Sequence, residues 1–98
     1  MIARVTFHRL AELELNDAAL YYNSESAGLG AVFLTEVERC IRSILDLPQA
    51  WPAVWGAIRR RITQRFPYAV VYSVKSDEIR VLAIMHMKRR PMYWAGRQ

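Results

Sequence analysis

Apolar positions recur along this chain with two different spacings, and the change from one to the other divides it near the middle. Residues 2–7 (IARVTF) form a short β-type run. From about Arg9 to Asn23 the apolar positions Ala11, Leu15, Ala18, Ala19 and Tyr22 fall three and four apart, the spacing of one helical face. Glu12 and Glu14 lie in its first turns, where the helix dipole favours negative charge. Ser24–Gly30 (SESAGLG) breaks that pattern. A second helical stripe follows, made of Leu29, Phe33, Val37, Cys40, Ile41 and Ile44. Glu36, Glu38, Arg39 and Arg42 cover its other side, and Pro48 closes it. Two antiparallel helices joined by so short a link make a helical hairpin.

Beyond Pro48 the period becomes two. The segment Pro48–Ala57 (PQAWPAVWGA) holds two prolines and two tryptophans and reads as a structured loop packed on the core. Ile58–Phe66 alternates, with Ile58, Arg60, Ile62, Gln64 and Phe66 on one side and Arg59, Arg61, Thr63 and Arg65 on the other. Pro67 turns the chain into Tyr68–Lys75, and a polar turn leads to Ile79–His86, which is almost wholly apolar and so predicted to be central in a sheet. The order β-α-α-β-β-β predicts an α+β domain in which the first strand pairs within the later sheet.

The length of 98 residues suits a single domain spanning residues 1–98. A hydrophobic fraction of 53% opposes disorder. No apolar run reaches the roughly 18–20 residues a membrane span needs, and MIARVTFHRL has no apolar core of a signal peptide. One cysteine, Cys40, on an apolar stripe, excludes an internal disulfide and fits a cytoplasmic protein. With only two histidines, far apart, no metal site and no cofactor are expected. Charge is divided unevenly. Residues 1–50 carry four basic and seven acidic side chains, whereas residues 51–98 carry ten basic and two acidic ones. Eight of those ten are arginines, the residue suited to phosphate and carboxylate forks. The basic half therefore points to an acidic macromolecular partner.

Two groups of residues are candidates for that contact. Arg59, Arg61 and Arg65 share one face of the predicted strand, about 6.6–7 Å per step, a spacing that suits a nucleic-acid backbone, a carboxylate-rich peptide or simply a solvated face. His86 ends the last strand and is followed by Arg89, Arg90, Tyr93 and Trp94. That cluster holds the parts for RNA cleavage: His86 as acid or base, Arg89 or Arg90 as phosphate clamp, and Tyr93 as stack or proton relay. A histidine in an apolar strand also serves as a hydrogen-bonded structural residue, and Trp94 as packing. Gly28-Leu29-Gly30 precedes a helix but follows no strand, so it lacks the dinucleotide-binding context. His8 has no recognisable partner.

The succession LGAVFLTEVERCIRSILDLPQAWP, IRRRITQRFPYAVVYSV and IRVLAIMHMKRRPMYW resembles the RelE/ParE superfamily of bacterial toxins, from the first helix through Trp94. The resemblance implies a helical hairpin on a small twisted antiparallel sheet. It also implies a type II toxin neutralised by a cognate antitoxin and acting in plasmid stabilisation or growth arrest. RelE-type members cut messenger RNA on the ribosome without a metal, using basic residues and often a C-terminal tyrosine; ParE-type members inhibit DNA gyrase. Tyr93 matches the tyrosine and Arg65 lies near an arginine of the nuclease pattern, whereas Met87 stands where a nuclease carries a catalytic arginine. The reading leans to gyrase inhibition, with message cleavage as the alternative and a non-toxic nucleic-acid-binding module as a third class.

Overall fold

A computed structural model describes residues 4–98. Ile2 and Ala3 of the predicted first strand lie outside the described residues. Strand β1 (Arg4–Phe7) leads directly into α1 (Arg9–Glu25), which is followed by α2 (Leu29–Asp46), β2 (Ala53–Trp55), β3 (Ile58–Ile62), β4 (Tyr68–Lys75) and β5 (Glu78–His86). The strands form one sheet in the order β1-β5-β4-β3-β2. The α+β class and the helical hairpin are as the sequence predicts. The sheet is mixed, however: β1 runs parallel to β5, and the other neighbours are antiparallel. Within the expected loop Pro48–Ala57 the chain makes β2, paired through Ala53 to Arg59 and through Trp55 to Ile58. This extra strand adds one reversal between the helices and β3, so the last strand returns parallel to the first.

The start of α1 shows why His8 has no partner visible in the sequence: its partners are backbone. Its Nδ1 accepts a hydrogen bond from the Leu10 amide (3.0 Å), satisfying one of the free N–H groups of the first turn. Burial, and then the cations Arg97, Arg80 and Arg9, lower its pKa, which keeps that nitrogen unprotonated. The link between helices depends on two glycines. Gly28 takes a left-handed φ of 87°, and its amide donates to Asn23 Oδ1. At Gly30 a Cβ would lie 2.4 Å from the Ala19 carbonyl oxygen, so only glycine lets α2 approach α1 this closely.

Hydrophobic side chains fill both faces of the sheet. On the helical side Phe33, Val37, Cys40 and Ile44 meet Val70, Tyr72, Ile79, Val81 and Ile84. Cys40 is buried, and burial pushes its thiol up to about 11, as befits a packing residue. On the opposite face Ala69, Val71, Leu82, Ala83 and Met85 are covered by Trp94 from the C-terminal tail. Cover on both sides explains why β5 is apolar at nearly every position.

The turn from β3 to β4 departs from the predicted alternation. Strand β3 stops at Ile62 rather than Phe66, because the Thr63 hydroxyl donates to the Phe66 and Tyr68 carbonyl region and the Thr63 amide bonds the Tyr68 carbonyl. The next amide, of Gln64, donates to Glu36 Oε2 on α2 (2.6 Å). Glu36 also receives a two-pronged bond from Arg39 at 2.8 Å on each oxygen. Arg39 foremost, with help from the Gln64 amide and against the effect of burial, draws the Glu36 pKa from 4.5 down to about 2. A depressed carboxylate pKa stabilises the fold above the unfolded value and ceases to do so as pH falls through the folded one. The melting temperature of the wild type should therefore exceed that of Glu36→Gln at neutral pH. The gap should narrow below 4.5 and close near pH 2. A gap independent of pH would show that the charge on Glu36 contributes nothing.

Candidate functional site

The arginines of β3 separate according to the face they occupy. Arg59 and Arg61 lie opposite Tyr72 and Val70, on the helical side. There Arg59 donates to the Trp51 carbonyl (2.6 Å) and to Gln49 Oε1 (2.8 Å). Arg61 donates to Ser43 Oγ (2.8 Å) and lies 3.9 Å over the Trp51 ring. Their guanidinium groups thus hold the loop after α2 to the sheet. Arg65 does not continue their row: it sits in the turn with a left-handed φ of 73°. Arg60, between them, faces the other side of the sheet.

On that side the end of β5 and the tail enclose a cleft of about 340 Å³. Val54, Val71, Met85 and Trp94 form much of its lining, Met87, Pro91 and Met92 border it, and Arg60 and Arg89 add positive charge. Trp94 is 2% exposed, so it packs and offers no open stacking face. Its indole N–H is buried without a hydrogen-bond partner. Arg89 also borders a second hollow of about 210 Å³ with His86, Tyr68, Glu14 and Asp17. Among the described residues, no hydrogen bond or ion pair engages the side chains of Arg60, Arg65, Lys88, Arg89 or Arg90. Arg9 and Lys75 are also unpaired among the described residues, so five of the seven unpaired cations lie on β3, in the β3–β4 turn or in the tail.

The residues offered for proton transfer are placed differently from one another. The His86 ring is half-buried, edge-on to Tyr68 at 5.0 Å, and its Nδ1 accepts from the Lys88 amide at 3.0 Å. Tyr93 lies with its ring 3.9 Å from the Arg89 guanidinium carbon and 5.1 Å from that of Arg97. Its hydroxyl is buried, facing the Glu14 carboxylate. Burial, and next the neighbouring Glu14, push its pKa well above the ordinary phenol value. A phenol so placed is harder to ionise than an exposed one. Arg97 holds the tail down: it donates to both oxygens of Glu14 and to the Leu82 carbonyl, each at 3.0 Å. The sequence carries no local signal for this pair. No group of three or more His, Cys, Asp or Glu side chains among the described residues is placed to hold a metal ion, and no helix is long and apolar enough to cross a membrane.

A helical hairpin on a five-stranded mixed sheet defines a class of small α+β proteins with solved members. A chain from the "Chromosomal ParDE TA system from P. aeruginosa" has this fold, with a TM-score of 0.65 at 19% identity, over 89% of the present chain and 98% of the other. The model of the ParE toxin of the type II toxin-antitoxin system, parDE, matches residues 5–91, and the chain belongs to that family. No curated protein sequence matches it.

Proposed function

We propose that this protein is the toxin of a parDE-type pair, that it arrests growth in the cytoplasm by disabling DNA gyrase through surface contacts, and that a cognate antitoxin neutralises it. The observation that supports contact over cleavage is Tyr93. Its hydroxyl is buried beside the Glu14 carboxylate and hard to ionise, the reverse of a group poised to take a proton from a ribose hydroxyl. Met87, rather than an arginine, follows His86. The shared hollow of His86 and Arg89 favours a second reading, message cleavage on the ribosome, in which His86 moves a proton beside a phosphate clamp.

Purified protein incubated with gyrase on supercoiled DNA, and separately with translating ribosomes on a defined message, tests the proposal. Inhibited supercoiling or trapped cleavage complexes are expected, with the message intact. His86→Ala and Tyr93→Phe should change inhibition by less than about twofold, whereas a proton-transfer role would carry roughly 10²–10⁴-fold. Cleavage in the ribosomal A site that disappears in Tyr93→Phe would replace this reading with the nuclease one.

A further inference from the structure

The corner where α2 meets the β3–β4 turn borders a hollow that shares no lining residue with the cleft beside the tail. Arg65 adopts a left-handed φ of 73°, a conformation that is unfavourable for a residue with a Cβ and that glycine takes freely. The turn is held in place from several sides. Thr63 closes it, Phe66 anchors in the core at 7% exposure, and Glu36 receives the Gln64 amide while locked by Arg39. All of this holds up one side chain that forms no hydrogen bond or ion pair of its own. The guanidinium carbon of Arg65 stands 5.9 Å from the Phe66 ring, above an open hollow of about 420 Å³ that Val32 and Phe66 also line. Ser76 and Met92 also have positive φ, but of the three only Arg65 carries a charge, and that charge has no internal partner.

The charge of the hollow indicates the kind of partner. Arg39 and Glu36 neutralise each other within it, which leaves the single positive charge of Arg65 beside an apolar floor. One net charge suits one carboxylate. A nucleic-acid backbone would bring several phosphates toward a fixed Glu36 carboxylate and find little to neutralise them. We propose that this corner is a docking surface for the target protein, in which Arg65 forks a carboxylate and Val32 and Phe66 receive an adjoining aliphatic side chain, with Glu36 as the positioning residue that holds Arg65 in place. The inference rests on the reading that the target is a protein, and it places a specific contact on a surface separate from the cleft beside the tail.

The test is Arg65→Gly in the full chain. Relief of the left-handed strain should leave the melting temperature unchanged or raise it by up to about 4 °C. The same variant should inhibit gyrase supercoiling at least tenfold less well and lose growth arrest on induction. Glu36→Ala should weaken inhibition several-fold, and Glu36→Gln, which keeps an acceptor for the Gln64 amide, should recover part of it. If the wild type inhibits gyrase and Arg65→Gly inhibits equally, the docking surface is wrong while the proposed function stands. A marked fall in melting temperature for Arg65→Gly would make the residue structural and overturn the inference. Message cleavage by the wild type that Arg65→Gly abolishes would overturn both, since Arg65 would then meet a nucleic acid.

Discussion

Phe33→Ala is expected to remove about 3–5 kcal/mol of stability, a large part of the roughly 5–15 kcal/mol that holds a domain of this size together. Phe33 is fully buried on α2. Its ring centroid lies 5.3 Å from that of Tyr22 on α1, 5.2 Å from Phe66 in the β3–β4 turn and 5.0 Å from Tyr68 on β4. The four rings meet edge to face or tilted, so this one side chain joins both helices to the sheet. Alanine would leave a cavity that neither helix can close, because Gly30 already brings them to their nearest approach. Urea unfolding followed by circular dichroism should show the loss as a lower midpoint. Phe33→Leu, which fills more of the space, should lose only about 1–2 kcal/mol. Equal losses for both substitutions would show that the rings contribute through some means other than filled volume.

That cluster was legible in the sequence because helices display their buried face at a spacing no other structure shares. Phe33, Val37, Cys40 and Ile44 are all buried, as the stripe predicts, while Leu29 and Ile41 pack at its margin. Strand β2 was not legible. Three residues, Ala53–Trp55, between a proline and Gly56, are too few to display an alternation. The parallel pairing of β1 with β5 follows from the same omission, since one unseen strand reverses the sense of everything after it. The misplaced end of β3 has a different cause. Phe66 falls on the same side of the alternation as Ile58 and Ile62, as a continuing strand would place it, but hydrogen bonds from Thr63 have already turned the backbone.

The candidate site was legible as a composition and not as a geometry. An excess of arginine in the second half is plain from the sequence, yet which of them remain free is decided by groups far along the chain. Ser43 and Trp51 take up Arg61, and Gln49 with the Trp51 carbonyl takes up Arg59. Arg60, assigned to the opposite side of the strand, is the one that lines the cleft with Arg89. Tyr93 was identified by its position near the end of the chain. Its burial depends on Glu14 and Arg97, which are 83 residues apart. No local pattern reports such a pair.

Arg97→Ala is accordingly the second substitution expected to act strongly, though sequence patterning gives it no weight. Strand β1 pairs with β5 only as far as Phe7 opposite Val81. Past that point the edge of β5 would be open, and two side chains close it. The Leu82 carbonyl accepts from Arg97 at 3.0 Å, and the Ile84 amide donates to Glu14 at 3.1 Å. Arg97 and Glu14 then bond each other at 3.0 Å, with side chains only 12% and 16% exposed. Removing Arg97 leaves a half-enclosed carboxylate without its cation and a strand carbonyl without its donor. The expected loss is about 2–4 kcal/mol, below the range for fully buried pairs because some exposure remains. Replacing both residues with leucine should destabilise less than the two single changes added together, with a coupling of at least about 1 kcal/mol. The tail should loosen too, since Arg97 also flanks the Tyr93 ring. Hydrogen exchange at the Ile84 amide should quicken in Arg97→Ala while amides in the middle of β4 remain protected up to global unfolding. Stability within about 0.5 kcal/mol of the wild type would place Arg97 among ordinary surface residues, and would leave the tail held by the packing of Trp94 and Tyr93 and by Arg80 at the Gln98 carbonyl.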